Sequence, residues 1–510
     1  MQSIVSKLVI LWLTFSANVG FSEIEEPVQI TSGEITGTVL ESGVQAFLGI
    51  PYAAPPVGDL RWQPPQPAIP WKGIRPADRH GPGCIQPMNF YQSEDCLFLN
   101  IWTKAEVGEK MPVMVWIHGG GWAFGSNSQD IYDGGAFADN GVVLVSVNYR
   151  MNSFGWMAHP ALSEESENGV SGNYGVLDHV AALEWVQANI EQFGGDKDNI
   201  TIFGESAGGA SIYALLATPM ADGLFHKAIS ESTWINPNNV TSLKEPNGFQ
   251  DSAESLGATA IEKKLGSPTA NILAEMRSMT TEDILDLEHS VALIIDGWLF
   301  KENPIETFNN ARHNNVPIMT GYNDGEGLMF VRKGSEPSST EEQRSRLSER
   351  LGEGGKELVK FYVANSADDI YDKEIDFSSD TSFVRASREL GLAGARASQQ
   401  DTYVYVFSRN ARDPNQRASH FMEVPYVFNN LPSGASNSDK KLGQLMNDYW
   451  VQFARTGSPN GPELPVWPTY DLEEQRHQVL DVEVSQGVRD RKPELDLMND
   501  YLRDRYSNAN

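Results

Sequence analysis

Alternating strand-like and helix-like runs place this 510-residue chain in the α/β class. The predicted architecture is a mostly parallel central sheet with helices on both faces and inserted helical cap segments. Two further observations support it. Short apolar strands end in Gly-rich turns, and helix-like runs follow them directly. No Pro/Ser-rich linker splits the chain, so residues 23–510 read as one domain.

The elements follow in order. "PVMVWI" (112–117) is a short apolar strand that ends in His118-Gly119-Gly120-Gly121, and "GVVLVSVNYR" (141–150) is the next strand. "DHVAALEWVQANIEQF" (178–193) carries Val180, Ala181, Leu183, Val186 and Ile190 at helical spacing. "NITIF" (199–203) is a strand, and "SAGGASIYALLATP" is a helix stopped near Pro219. "HKAIS" (226–230), "VPIMTGY" (316–322) and "TYVYVFS" (402–408) are later strands. The charge-rich stretches 341–364 and 382–399 between them read as helices inserted around the sheet.

Composition narrows the function. With 39 Lys+Arg against 68 Asp+Glu the formal charge is −29, a surface that repels phosphate backbones and excludes nucleic acid as a partner. Twelve Trp, 22 Phe and 16 Tyr supply a large core. At the N-terminus, Lys7 precedes the apolar run Leu8–Phe15, and the small residues Gly20 and Ser22 precede Glu23. Residues 1–22 therefore read as a signal peptide, and the chain as exported to the periplasm or the medium. The other reading is a buried N-terminal strand. The apolar run is too short to span a bilayer, and no later segment is long and apolar enough for a membrane span. The two cysteines, Cys84 and Cys96, read as a disulfide in an exported chain, or as two buried thiols in a cytosolic one. A disulfide closing so short a loop adds roughly 3 kcal/mol. Two cysteines without clustered histidines make no metal site, and no cofactor is implied.

The chemistry centres on Gly204-Glu205-Ser206-Ala207-Gly208, a G-x-S-x-G pattern between a strand and a helix. In that context Ser206 is a candidate nucleophile on a strained turn; the alternative is an ordinary βα loop. A serine nucleophile needs a base, and this arrangement runs Ser, acid, His along the chain. His80, His118, His159 and His179 precede Ser206, and His226, His289 and His313 precede the best acid. His420, in the loop after a strand, and His477 remain. His477 lies in the polar stretch "LEEQRHQVL" and is assigned to the solvated surface. For the acid, "VPIMTGYNDGEGLMF" offers Glu326 first and Asp324 second. The glycines after "PVMVWI" free backbone N–H groups to bind an oxyanion, and the Ala207 N–H adds another. Each such donor is worth about 3 kcal/mol in a transition state.

These residues resemble the type-B carboxylesterases, the α/β-hydrolase family that includes cholinesterases and bacterial para-nitrobenzyl esterases. The resemblance spans nearly the whole mature chain. It is carried by "GIPYAAPPVGDLRWQPPQP" (49–67), "SEDCLFLNIW" (93–102), the stretch 173–209, "GYNDGEG", "HFMEVPYVF" and "YWVQFARTGSPNGPELPVWPTY" (449–470). It implies a Ser206–Glu326–His420 triad, oxyanion N–H groups from Gly120, Gly121 and Ala207, and a Cys84–Cys96 disulfide. It also places Glu205 beside the nucleophile as a source of negative potential, and Ser232 near the triad. The chain departs from the family where Thr233 and Trp234 follow that serine in place of glycine, which bears on the acyl pocket. The Cys84–Cys96 loop holds Phe90 and Tyr91 but no Trp, so choline specificity is not carried over. Trp122, Trp234 and Trp298 are candidate pocket walls. The activity implied is hydrolysis of a small-molecule carboxylic ester through an acyl-enzyme. A non-catalytic binding protein, or an amidase, thioesterase or lactone hydrolase on the same triad, are the alternatives. Neither the physiological ester nor the oligomeric state is legible.

Overall fold

The structure is a computed structural model. It describes residues 24–507 apart from 90, 247–249, 268, 290, 398 and 414. The expected signal segment and Phe90 lie outside the described residues.

Eleven strands form the central sheet. Along the chain they are β1 (Thr38–Val39), β2 (Gln45–Pro51), β3 (Phe98–Thr103), β4 (Met111–Ile117), β5 (Val143–Val147) and β6 (Gly195–Glu205). β7 (Lys227–Glu231), β8 (Ile318–Asn323), β9 (Thr402–Phe407), β10 (His477–Leu480) and β11 (Ser485–Gly487) complete it. Their spatial order is β11-β10-β9-β8-β7-β6-β4-β5-β3-β2-β1. From β5 through β4 and β6 to β10 every pairing is parallel, while β1–β2, β2–β3, β3–β5 and β10–β11 are antiparallel. The strand order reverses at β4, which has β5 on one side and β6 on the other. In such sheets ligands bind beyond the strand ends at the reversal.

Alternation along the strands builds a core on each face. In β4, Val113, Val115 and Ile117 enter one cluster, while Met114 and Trp116 enter the other. The first face is covered by helix α1 (Tyr174–Asn189), through Val176, Leu183 and Val186, and by α2 (Ala207–Ala217), through Ala210, Ile212 and Leu215. The opposite face is covered by α6 (Asn437–Thr456), through Met446, Tyr449, Trp450 and Phe453. Between β8 and β9 lie α3 (Thr340–Leu351), α4 (Lys356–Tyr362) and α5 (Arg385–Ala397).

The structure departs from the sequence reading at several points. β6 runs on to Glu205, because Gly204 and Glu205 still pair with Ser230 and Glu231 of β7. α1 starts four residues early and ends at Asn189 in a 3₁₀ turn, Ile190–Phe193. The stretch 341–364 is two helices, broken at Gly352, whose φ of 65° is left-handed. A π-helical turn, Asp380–Val384, precedes α5. His477 is buried, not solvated: β10 pairs on both sides, and its ring lies over Gly487. Polar flanks misled the assignment.

Cys84 and Cys96 form a disulfide. Among the described residues no helix is long and apolar enough to cross a membrane. A buried ion pair fixes the end of β5 to α1. Arg150 donates from Nε to Asp178 Oδ2 at 2.8 Å and from Nη2 to Oδ1 at 2.6 Å, and its backbone N–H adds a bond of 2.9 Å to Oδ2. Asp178→Ala leaves the guanidinium buried without a counter-charge. It is expected to lower the unfolding free energy by about 3–5 kcal/mol, measured by urea denaturation; a loss below 1 kcal/mol contradicts it.

Candidate active site

The site forms at the C-terminal ends of β4, β6, β7 and β8. Ser206 sits between β6 and α2 with φ 58° and ψ −118°, a conformation that a non-glycine residue adopts only at a cost of about 1–3 kcal/mol. The turn is held from two sides. Ser206 N–H donates to Glu231 O at 2.9 Å, and its carbonyl accepts from Ala210 N–H at 2.8 Å. The turn also packs against the last residue of β4. A Cβ on Gly204 would lie 2.5 Å from Ile117 O, and one on Gly208 only 2.0 Å from the same atom. Only glycine permits that approach.

The glycine loop after β4 lies against the serine. A Cβ on Gly119 would stand 3.1 Å from Ser206 Cβ and 2.9 Å from Glu205 Oε2. The loop is anchored by His118, whose Nδ1–H donates to Gly119 O at 2.8 Å, and by Tyr149, whose hydroxyl donates to His118 O at 2.9 Å. Burial pulls the His118 imidazole down to about 4, against the hydrogen bond to Gly119, so the ring is neutral. Gln86, from the disulfide loop, exchanges two 2.9 Å bonds with the backbone of Gly125 and ties that loop to the glycine loop. Among the described residues, the N–H groups of Gly120, Gly121 and Ala207 donate to no protein acceptor. Gly121 faces open space, with φ 62°.

β8 delivers the acid and β9 the histidine. Glu326 opens a 3₁₀ turn after β8 and is fully buried. Its Oε1 accepts from Asn323 N–H at 2.8 Å and from Ser232 Oγ at 2.6 Å, and its Oε2 meets His420 Nδ1 at 2.5 Å. Asp324 goes elsewhere: it accepts from Ala418 N–H at 2.6 Å and fixes the start of the histidine loop. Burial pushes its carboxyl up to about 6. Of the two candidate acids, the structure brings Glu326 to the imidazole.

Ser206 is 9% exposed, and its Oγ has no hydrogen-bond partner among the described residues. The other ring nitrogen of His420, Nε2, lies 3.1 Å from Glu205 Oε1. That contact is electrostatic rather than a hydrogen bond, since Oε1 is left without a hydrogen-bond partner. A serine–imidazole bond is therefore not made in this structure; such bonds are often long or misaligned before substrate binds.

Three carboxyls act on the imidazole, Glu205, Glu326 and Glu423, and a fourth, Glu231, acts on Glu205 and is itself raised by Glu423. Burial alone would depress the His420 pKa, but the charges of Glu205 and Glu326 and the Glu326 hydrogen bond outweigh it and push the imidazole up to about 9. Burial pushes the Glu205 carboxyl well up; the imidazolium opposes this, and Glu423, Glu326 and Glu231 add to it. Glu231 is raised by burial and by Glu423, against the 2.7 Å bond from Trp450 Nε1 to its Oε1. The imidazole is flanked by two aromatic rings, Phe383 at 4.2 Å and Phe330 at 5.5 Å between centroids. Phe383 belongs to the π-helical turn, and Phe330 is half exposed.

Glu231, Glu423, Asn323, Phe330 and Phe383 escaped the sequence reading. Glu423 had a signal, an acid inside the apolar run "HFMEVPYVF". The wall residues divide. Trp122 is fully buried, bonded to Ser211 and edge-to-face with Trp156, so it is core. Trp234 is half-buried, with its ring 5.6 Å from that of Trp122. Trp298 packs on the same core without a ring contact among the described residues. Thr233 is buried, bonds Ser230 Oγ, and donates its N–H to Ser387 Oγ of α5 at 3.1 Å.

The sheet order and the strand–turn–helix at Ser206 define the α/β-hydrolase fold. The solved structures agree. A Geobacillus stearothermophilus carboxylesterase superposes with a TM-score of 0.81 at 33% identity, covering 92% of this chain and 99% of that one. A PNB esterase gives 0.79 at 32%, with the same coverage. The sequence profile of the Carboxylesterase family matches residues 25–497. Two curated relatives are the fumonisin B1 esterase of Sphingopyxis macrogoltabida and the para-nitrobenzyl esterase of Bacillus subtilis. The first is 36% identical, over 86% of this chain and 84% of that protein; the second is 34% identical, over 89% and 94%. The chain belongs to the carboxylesterase family, type B, and is a carboxylic ester hydrolase.

Replacing Glu205 by Gln removes the charge that faces Nε2. The His420 imidazole is then expected to lose its proton at a pH lower by about one unit or more, read by NMR titration of histidine-labelled protein. An unmoved titration shows that Glu205 carries no charge there.

Proposed function

We propose that the chain cleaves a small-molecule carboxylic ester through Ser206, His420 and Glu326. The observation that carries this is the 2.5 Å contact of Glu326 with His420 Nδ1, made beside a strained serine that lies against a glycine loop. Glu326 fixes the tautomer that leaves Nε2 as the base. Ser206 Oγ loses its proton to Nε2 and attacks the ester carbonyl carbon. The N–H groups of Gly120, Gly121 and Ala207 stabilise the oxyanion, each by about 3 kcal/mol. As the tetrahedral adduct collapses, the imidazolium protonates the departing alkoxide and leaves an acyl-serine. Water then attacks the acyl carbon as Nε2 takes its proton; the second adduct collapses, the imidazolium returns that proton to Ser206 Oγ, and the acid leaves.

The Nε2 contact with Glu205 is not a hydrogen bond, so it leaves Nε2 free to take the Ser206 proton. The relatives named for fumonisin B1 and for para-nitrobenzyl esters carry one shared family fold to different esters, so the scissile ester is the constant proposed here. The disulfide supports export to the periplasm or the medium.

Ser206→Ala is expected to lower kcat on short-chain nitrophenyl esters by a factor on the order of 10⁴ or more, and to abolish labelling by a fluorophosphonate. Turnover retained in the variant, or an adduct mapped to another residue, overturns the nucleophile. Matched ester, thioester, lactone and anilide substrates test the bond: faster anilide cleavage makes the chain an amidase. A folded wild type that turns over none of them is a binding protein.

A further inference from the structure

Ser232 is fully buried and held at φ 48°, a strained conformation for a residue with a side chain. The strain sets its hydroxyl between two carboxyls. Oγ lies 2.6 Å from Glu326 Oε1 and 3.2 Å from Glu423 Oε1. A hydroxyl has one proton and can donate it once. The shorter contact has the length of a charge-assisted O–H···O⁻ bond, so that proton belongs to Glu326. The Oγ lone pairs then face Glu423 Oε1. Between an ionised Glu423 and those lone pairs the contact is repulsive; with a proton on Oε1 it is a hydrogen bond.

The other oxygen of Glu423 is an acceptor. Asn323 Nδ2 donates to Glu423 Oε2 at 2.5 Å and to Ser419 O at 2.9 Å. Ser419 O can only accept, so the amide orientation is fixed and Nδ2 faces Oε2. That leaves Oε1 for the proton.

We propose that Glu423 is a protonated positioning residue, donating from Oε1 to Ser232 Oγ so that Glu423, Ser232 and Glu326 form a one-directional hydrogen-bond chain ending at His420 Nδ1. With Ser232 committed to Glu326, that carboxylate takes three hydrogen bonds, from Asn323 N–H, Ser232 and His420, and is held against the imidazole. An ionised Glu423 competes for the Ser232 proton and adds a negative charge near His420.

The acidic groups around Glu423 favour its neutral form, and the imidazole opposes them. The surrounding groups are Glu326 after β8, Glu205 at the end of β6, Glu231 at the end of β7, the Tyr405 hydroxyl on β9, and His420 on its own loop. Only the imidazole is cationic. Burial, and then the charge of Glu326, push the Glu423 carboxyl up to about 7, against the Asn323 bond and the imidazole. Its proton is present below that pH and lost as pH rises through it. The catalytic consequence rests on His420 being the base; the location of the proton does not.

Glu423→Gln reproduces the neutral acid, with its amide N–H toward Ser232 and its carbonyl toward Asn323. In the infrared difference between wild type and E423Q at pH 6, the carbonyl stretch of one un-ionised carboxyl is expected, fading as pH rises through about 7. A difference showing only ionised-carboxylate bands at pH 6 overturns the proposal. If E423Q is unstable, the same difference taken against Glu423→Met, which also removes only this carboxyl, gives the reading. In kinetics, wild-type kcat/KM is expected to fall on the alkaline side, and E423Q to lose that limb while keeping the acid one. An alkaline limb that persists in a folded E423Q overturns the positioning role. If no ester is turned over, the proposed function fails while the infrared result still decides the proton.

Discussion

One carbonyl oxygen organises this site. Ile117 O, at the last residue of β4, is approached so closely by Gly204 and Gly208 that neither could carry a Cβ. The contact brings the start of α2 onto the end of β4, which places the serine turn beside the glycine loop that leaves the same strand. The proposed nucleophile and oxyanion donors thus share one backbone joint. The β4–β6 ladder, which sets Ile117 opposite Gly204, holds them together, and the missing Cβ atoms of Gly204 and Gly208 permit the close approach. Ser206 bears the conformational strain, and the Glu231 and Ala210 bonds flanking it hold the strained turn in place.

A second constraint is electrostatic. Three of the strands ending at the site each deliver an acid: Glu205 from β6, Glu231 from β7 and Glu326 after β8, with Glu423 joining from the histidine loop. All are buried, and His420 is the cation among them. Water cannot screen these charges, so proton placement does what screening does at a surface. Hydrogen bonds sort the carboxyls: Glu326 receives three donors, whereas Glu205 Oε1 and Glu231 Oε2 receive none. The fully bonded group is the one that faces Nδ1.

Features set by nearest neighbours along the chain were legible in the sequence; those set by convergence of distant segments were not. The elbow and the glycine loop declare themselves because glycines at short spacing report backbone crowding. Chain order narrowed the base to His420 and His477, the place of His420 in a loop after a strand favoured it, and the glycines on either side of Glu326 put that acid ahead of Asp324. The acid cluster was invisible because residues 205, 231, 326 and 423 meet only when four strand ends converge. His477 misled for the converse reason: its flanks are polar, yet a two-sided strand position buries it. The break at Gly352 had a local signal in "RLGEGGK", whereas the π turn that sets Phe383 over the imidazole had none.

A buried cluster of this kind is poorly explained by stability alone. Replacing paired charges in a core by apolar side chains of similar volume is often neutral or stabilising, by about 1–4 kcal/mol. Carboxyl oxygens without partners are costlier still, at about 1–3 kcal/mol for each buried polar group left unsatisfied. The fold nonetheless sets two such oxygens, Glu205 Oε1 and Glu231 Oε2, within the same group of acids. What the arrangement supplies is a field. In the proposed reaction a negative environment stabilises the imidazolium that forms while Ser206 attacks, and it opposes the neutral imidazole needed to start. Protons held on the surrounding carboxyls reconcile these demands, because each one weakens the field before attack without removing the group that carries it. The balance between the two states then depends on how many protons the cluster holds, and the acids beyond the proposed triad are where that number is set.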